Sequence, residues 1–143
     1  MRVLGIDTAT WRASVAVLEE GTILSEASEN TAGKHAASLL PLIESVLEQA
    51  SCTVAGLDRI AVSVGPGSFT GLRVGLSVAK ALAWSVGTAL STVPTLEALA
   101  HGADVASGTV AAVLDARKGE LYAAVFRFSP GRCDRETEDL LLT

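Results

Sequence analysis

The chain has 143 residues, of which 49% are apolar and 19% are charged, so it can bury the core of one domain and part of another. Its net charge of −5 argues against a strong nucleic-acid binder acting alone, because neutralising phosphates requires clustered lysines and arginines. Apolar stretches are interrupted well before the ~20 residues of a membrane span, and the N-terminus lacks the long apolar run of a signal peptide. We therefore expect a cytoplasmic protein with no membrane partner.

The chain opens with three predicted strands, over residues 2–7, 13–18 and 22–28, whose short connections favour antiparallel pairing. A helix is predicted over residues 35–50, where apolar side chains recur at helical spacing. A buried strand follows over residues 59–64, and then a long helix that Ser68 or Thr70 caps and that runs to about residue 86. A further strand is predicted over residues 88–93 and a last helix over residues 95–103. This order predicts an α/β fold, with a mixed sheet and helices on both faces.

Residues 110–115 and 121–126 repeat the opening hairpin. Each copy begins with an apolar strand that ends in aspartate, at Asp7 and at Asp115, an offset of 115 − 7 = 108 residues. The same offset aligns the sequences of the second strands without a gap. The alternative is that the two apolar hairpins resemble each other by chance. The repeat predicts that a second, similar lobe begins here. The predicted division is a first lobe over residues 1–108 and the start of a second, truncated lobe over residues 109–143.

The first hairpin carries the sequence Asp-Thr-Ala-Thr at residues 7–10. A strand ending in aspartate before a threonine-bearing hairpin resembles the phosphate-binding element of actin-like and sugar-kinase ATPases, and implies their ribonuclease H-like fold. Ala9 occupies the position that usually holds glycine, and its methyl group hinders close approach of the backbone to a phosphate. Two interpretations remain, a remnant nucleotide site or an aspartate that merely ends a strand and caps a turn. The residues assigned to the remnant are Asp7, Thr8, Thr10 and Asp115.

The most unusual sequence is Gly-Pro-Gly-Ser-Phe-Thr-Gly-Leu-Arg at residues 65–73. A glycine-rich turn that opens a helix can bind an anion at the helix N-terminus, although the spacing matches neither a P-loop nor a dinucleotide fingerprint. The alternative is a tight strand-to-helix turn. The residues assigned to this motif are Gly65, Gly67, Ser68, Thr70 and Arg73.

Small residues recur at every fourth position of the helix that follows. They are Gly71, Gly75, Ala79 and Ala83. Such a stripe allows another helix to approach closely, and the alternative is close packing on the chain's own sheet.

Metal and nucleophile chemistry have little support in the sequence. The two histidines, His35 and His101, have no histidine or cysteine partner at ligand spacing, and no Gly-x-Ser-x-Gly elbow is present. We therefore expect no metal site and no catalytic residue. The two cysteines, Cys52 and Cys133, are expected to be free thiols.

Four segments of the chain are similar to the TsaB (YeaZ) family of bacteria. They are residues 4–10, Lys34–Pro41, residues 65–73 and residues 114–122. The resemblance implies a role in making threonylcarbamoyladenosine, the modified base beside the anticodon of tRNA. It implies a non-catalytic subunit that pairs with a catalytic TsaD-like paralogue and a TsaE-like ATPase, and that meets tRNA only through the complex. No firm cofactor follows, and a nucleotide bound weakly at the subunit junction stays open.

The resemblance also implies a docking surface, because family members use the first two helices of the front lobe for partner contact. The partner there would be the paralogue or, as a homodimer, a second copy of this chain. The residues assigned to this surface are Leu39, Ile43, Gly71, Gly75 and Ala79. On this basis Gly75→Leu is predicted to abolish pairing while the isolated chain stays folded.

The same comparison bears on catalysis. The catalytic paralogue has a His-x-x-x-His metal pair after the corresponding strand, and Thr95 and Leu99 occupy those positions here. The leading hypothesis is therefore a scaffold subunit. One alternative is an ATP-dependent phosphotransferase of the sugar-kinase/actin superfamily, which needs a complete second lobe and a glycine in the first phosphate loop. Another is a metallohydrolase, which needs ligands that this sequence lacks.

Overall fold

The computed structural model describes residues 1–31 and 35–143, and these residues form nine strands and three α-helices. The strands are β1 (Arg2–Asp7), β2 (Arg12–Glu19), β3 (Thr22–Asn30), β4 (Arg59–Ser63), β5 (Ala89–Val93), β6 (Gly108–Arg117), β7 (Glu120–Ser129), β8 (Arg132–Arg135) and β9 (Leu140–Leu142). The helices are α1 (His35–Gln49), α2 (Phe69–Val86) and α3 (Thr95–His101), and a 3-10 helix spans Val54–Gly56. The predicted elements are present near their expected bounds, whereas β8, β9 and the 3-10 helix were not predicted.

Two sheets organise the described residues. In the first sheet the strand order is β3-β2-β1-β4-β5. The first three strands in the chain pair antiparallel, while β1, β4 and β5 run parallel. Parallel neighbours need a crossover, and α2 supplies the one between β4 and β5. The predicted mixed α/β sheet is therefore confirmed.

Packing divides the chain into two units. Unit 1 contains Met1–Val64 and Ser68–Val93, and unit 2 contains Gly65–Gly67 and Pro94–Thr143. In unit 2, α3 packs against β6 and β7. The division therefore lies earlier in the chain than the boundary predicted between residues 108 and 109.

Helices α1 and α2 cover the same face of the first sheet. Leu4 pairs with Val17 on one side and with Ile60 on the other, so these three side chains share that face. They form one core with apolar side chains of both helices. The helix residues of this core are Leu39, Ile43, Val46, Leu47, Ala79 and Ala83. Helices on both faces of the sheet were expected, but in unit 1 both helices lie on one face and α3 packs on the second sheet instead.

Specific residues set both ends of α2. At its start, Ser68 Oγ accepts a hydrogen bond from Gly71 N at 3.3 Å, which is an N-cap. At its end, Gly87 adopts a left-handed φ of 69° and its N–H bonds to the carbonyls of Ala83 and Trp84, as glycine does at helix C-termini. No helix within the described part of the chain is long and apolar enough to cross a membrane.

The second hairpin repeats the first with a slip of one residue. An ungapped offset from the Leu4–Val17 pair requires Ala112 to pair with Val125, but Ala112 pairs with Ala124. The second turn is tighter, because Arg117 already pairs with Glu120. The ungapped repeat is therefore wrong for the second strand, although both hairpins have the same architecture.

Candidate functional site

The turn that follows β1 is held against the start of α2. Thr8 Oγ1 donates a hydrogen bond to Gly71 O at 2.8 Å, and Ser68 N donates one to Ala9 O at 2.6 Å. Thr8 is 0% exposed and Ala9 is 2% exposed. Two motifs that are far apart in the sequence therefore form one packed element.

Gly75 provides the space that Thr8 occupies. A Cβ atom built on Gly75 would lie 2.2 Å from Thr8 Oγ1 and 3.4 Å from Thr8 Cβ. The first distance is far inside van der Waals contact, so the turn can approach α2 only if this position is glycine. The small-residue stripe of α2 therefore faces the chain's own turn and sheet.

This packing corrects the predicted docking residues. All five are buried within unit 1: Leu39, Ile43, Gly71, Gly75 and Ala79. Because a side chain without accessible surface cannot contact a partner, these residues stabilise the fold. A leucine at position 75 would displace Thr8, so we now expect Gly75→Leu to destabilise the isolated chain as well, contrary to the prediction from the sequence.

Asp7 caps the turn with its own carboxylate. Its Oδ1 accepts a hydrogen bond from Ala9 N at 2.7 Å, and Thr10 Oγ1 accepts one from Arg12 N at 3.1 Å. These bonds match the interpretation of the aspartate as a turn cap. In the second hairpin Asp115 makes the same bond to the N–H two residues ahead, at 2.7 Å. A role of these residues in binding phosphate stays a prediction.

The glycine-rich motif is bonded to α3. Gly65 N donates to Thr95 Oγ1 at 3.1 Å, and Thr95 N donates to Gly65 O at 2.7 Å. Gly67 is half-buried, whereas Thr70 and Arg73 are exposed. The motif therefore acts structurally at Gly65, and anion binding at its other residues stays a prediction.

Thr95 and Leu99, which the sequence resemblance set against the metal pair of the paralogue, have different surroundings. Thr95 is 3% exposed and bonded to Gly65, and Leu99 is 45% exposed. Within residues 1–31 and 35–143, no three histidine, cysteine, aspartate or glutamate side chains converge as metal ligands. Lys34, which begins one of the family-like segments, lies outside the described residues.

Unit 2 has an open cleft of about 370 Å³ beside the end of α3. Burial raises the pKa of the Cys133 thiol, and the charges of Glu97 and Asp134 raise it further. The thiol is therefore uncharged at neutral pH and a poor nucleophile. His101 packs edge-on against Phe128, with ring centroids 5.2 Å apart. The side chains that line this cleft pack against one another, and they provide neither an activated nucleophile nor a set of metal ligands.

The sides of α1 and α2 that face away from the sheet carry exposed residues. None of these residues was among the docking residues predicted from the sequence. Since the two helices contact each other on one face of the sheet, their outward residues form one surface, which we call the outer helix face. It is defined by Glu44, Ser45 and Glu48 on α1 and by Ser77, Lys80, Ala81 and Trp84 on α2, all exposed. Trp84 is 89% exposed. The signal that could have located this face is the helical spacing of these residues, opposite the apolar positions.

Comparison with known proteins identifies the family. The family model of TsaD, tRNA N6-adenosine threonylcarbamoyltransferase, matches residues 22–141. The chain is 32% identical over 139 residues to the tRNA threonylcarbamoyladenosine biosynthesis protein TsaB of Bacillus subtilis, and the match covers 97% of this chain and 61% of that relative. The chain therefore spans less than two thirds of the length of this curated relative.

Solved structures give the same result. YeaZ from Pseudomonas aeruginosa superposes with a TM-score of 0.89 at 33% identity, which covers 99% of this chain and 67% of that one. The ROK hexokinase of Thermus thermophilus superposes with a TM-score of 0.60 at 15% identity, over 96% of this chain and 50% of that one, and this likeness concerns the fold alone. The predicted actin-like and sugar-kinase fold class is thus confirmed, and the chain belongs to the TsaB (YeaZ) family within the wider TsaD family.

Proposed function

We propose that this chain is a non-catalytic partner subunit of the machinery that transfers a threonylcarbamoyl group to the adenosine beside the anticodon of tRNA. Family membership supports the pathway, because the Bacillus subtilis relative is named for threonylcarbamoyladenosine biosynthesis. The observation that best supports a partner role is the exposure of the outer helix face. Residues of the sequence motifs, such as Thr8 and Gly65, instead make contacts within the chain.

Three observations support the proposal that this chain is not the catalytic subunit. Thr95 bonds to Gly65, Asp7 caps its own turn, and Ala9 fills the place where a phosphate loop needs glycine. We propose that a TsaD-like paralogue performs the transfer and that a TsaE-like ATPase completes the complex. This chain then contributes surface and no reacting group.

The outer helix face has the composition of a docking surface. Exposed tryptophans are typical interface anchors, and Trp84 lies beside the small residues Ser77 and Ala81, which permit close approach of another helix. Acidic side chains lie on α1 and basic ones on α2. Such a surface complements a second helix pair that presents the opposite order of charges, and a paralogue of the same fold or a second copy of this chain can present it.

Trp84→Ala tests the docking face. Truncating an interface anchor costs about 2–4 kcal/mol, so we expect the Kd for the TsaD-like paralogue to rise roughly 30-fold or more, measured by titration calorimetry. Leu99→Ala, at an exposed residue of α3, is the control and should bind as the native chain does. Unchanged affinity of Trp84→Ala, with an unchanged melting temperature, would place the docking surface elsewhere.

The alternative function, which the sequence leaves open, is an ATP-dependent phosphotransferase of the sugar-kinase/actin superfamily. Calorimetry with Mg-ATP on the isolated chain separates the two functions. We expect neither micromolar binding nor release of ADP, because Ala9 hinders approach to a phosphate. Micromolar binding with turnover would contradict the scaffold proposal.

A further inference from the structure

Strand β6 forms one edge of the second sheet. It pairs with β7 from Gly108 to Arg117, and within residues 1–31 and 35–143 it pairs with no other strand. Its ten residues are at the upper end of ordinary strand lengths. An edge strand presents a row of backbone N–H and C=O groups with which another chain can pair, so β6 offers a long site for a further strand.

The other sheet edges carry features that discourage such pairing. Short length, charged side chains and irregular register are the usual means. β3 includes Glu26 and Glu29 and has an irregular register with β2, β5 has five residues, and β8 and β9 have four and three. β6 has no charged residue and no proline from Gly108 to Leu114. In the described part of the chain, β6 is therefore the edge best suited to pairing.

The face of the second sheet that lies opposite α3 is apolar as well. Ala112 and Ala124 pack with α3, whereas Val113 points to the other face, where it lies beside Ala123 and then Leu140. Val113 is 47% exposed and Leu140 is 42% exposed. A sheet with one solvated face normally has polar side chains there, and an exposed apolar patch marks an interaction surface. A partner that extends the sheet at β6 would also continue this apolar row.

A second copy of this chain fits this edge when the two strands run antiparallel. The charged side chains of β6, Asp115 and Arg117, both lie at one end, so antiparallel pairing places them at opposite ends of the joined strands. Parallel pairing in register would instead set each Asp115 beside that of the other copy, and like charges directly opposite each other are destabilising. Two-fold symmetry, the commonest symmetry of protein oligomers, gives the antiparallel arrangement.

We propose that β6 pairs antiparallel with β6 of a second copy, with Ala112 on the two-fold axis. In this register Ala111 lies opposite Val113, Val110 opposite Leu114 and Thr109 opposite Asp115 of the other copy. Side chains of the same face thus meet, as a continuous sheet requires, and the small side chain of Ala111 leaves room for Val113. The two four-stranded sheets become one.

This pairing goes beyond the proposed function and does not depend on it. β6 belongs to unit 2, whereas α1 and α2, which carry the outer helix face, belong to unit 1. Association of two copies through β6 is therefore a property separate from docking of the TsaD-like paralogue, and the two are measured separately.

Sedimentation velocity over a range of concentrations tests the inference on the whole chain. One chain has a mass of 14.7 kDa, and we expect a dimer to form as the concentration rises. Val113→Lys places a charge at the paired edge in each copy, so it acts twice and should raise the Kd of the dimer about tenfold or more. Circular dichroism melting checks that each variant is folded. If Val113→Lys does not fold, Ala111→Lys, at another exposed position of β6, replaces it.

Leu142→Lys is the matched control. Leu142 lies opposite Leu121, which lies opposite Asp115, so the new charge is on the same face of the sheet as Val113 but at the far edge. We expect the Kd of the dimer to stay unchanged.

Cysteine cross-linking tests the register. In the double variant Ala111→Cys/Val113→Cys, the two substituted positions lie opposite each other across the axis, at a Cα separation of about 4.5–5.5 Å, which a disulfide can bridge. We expect a covalent dimer on a non-reducing gel. The native chain, with its free thiols at Cys52 and Cys133, gives the background, and Ala111→Cys alone should not exceed it. Absence of the cross-link in the double variant, or cross-linking by Ala111→Cys alone, would overturn the proposed pairing.

Three further results would overturn the inference: a chain that stays monomeric at every concentration, an unchanged Kd of the dimer in the lysine variants of β6, or an equal rise in that Kd with Leu142→Lys. The last result would indicate sheets that pack face to face. If Trp84→Ala alone weakens the dimer, the copies meet through the outer helix face, and the inference is wrong while the proposed function stands. Failure of the proposed function is read from the affinity for the paralogue, so the two proposals can fail separately.

Discussion

The two aspartate-ended turns have the same local hydrogen bond in different surroundings. Asp7 and Asp115 each accept a bond from the N–H two residues ahead, both at 2.7 Å. The first turn is buried against α2 through Thr8, whereas the second is exposed, with Arg117 and Lys118 at left-handed φ values of 69° and 55°. A local motif therefore sets the shape of a turn, and the element that packs against it decides whether the turn stabilises the fold or faces solvent.

Gly75→Ala should cause the largest loss of stability, because the new methyl group would enter the space that Thr8 of the first turn occupies. A Cβ atom 2.2 Å from Thr8 Oγ1 must displace the turn, and overpacking of this kind costs about 1–3 kcal/mol. We expect a loss of free energy of unfolding at the upper end of that range, measured by urea denaturation.

A double variant is the control for this contact. Thr8→Ala removes the atoms that the new methyl group would strike, so in that background Gly75→Ala should cost less than about 1 kcal/mol. If Gly75→Ala lowers the free energy of unfolding equally in both backgrounds, the strain does not come from Thr8. The contrast drawn between the buried and the exposed turn would then be wrong.

Thr8→Val should have a smaller effect. It keeps the shape of the side chain but removes the hydrogen bond from Thr8 Oγ1 to Gly71 O, and one such bond contributes about 0.5–1.5 kcal/mol. The matched change in the exposed turn is Ala116→Val, after Asp115, where we expect less than about 0.5 kcal/mol. Equal losses in thermal unfolding would show that burial of the first turn does not matter.

The smallest effect should come from the aspartates themselves. Asp7→Ala removes a bond that orders a turn packed on α2, and we expect a cost of about 1 kcal/mol, as for other caps. Asp115→Ala removes the same bond in an exposed turn and should cost about 0.5 kcal/mol or less. A larger loss for Asp115→Ala in denaturant titrations would reverse the comparison.

The strands and helices could be predicted because their signals are local. The orientation of α2 could not be predicted, since it has small residues on both sides: Gly75 and Ala79 face inward, and Ser77 and Ala81 face outward. The contact that decides between the two sides is made by Thr8, which lies far away in the sequence. Choosing the docking residues from the sequence therefore selected the buried side.

The slip between the hairpins was hidden for a similar reason. Ala123, Ala124 and Val125 are all apolar, so alternation along β7 does not show which of them faces the core. The structure shows that Ala124 belongs to the second core, together with Phe126. Pairing across strands, which is not a local property, sets the register.

The reciprocal bonds between Gly65 and Thr95 determine how the chain can be dissected. Gly65–Gly67 belongs to unit 2 although both flanking stretches belong to unit 1. No single cut can separate the two units: a fragment ending at Val93 keeps Gly65 but loses Thr95, which holds it. Neither unit is a contiguous module that could be transplanted into another protein by itself.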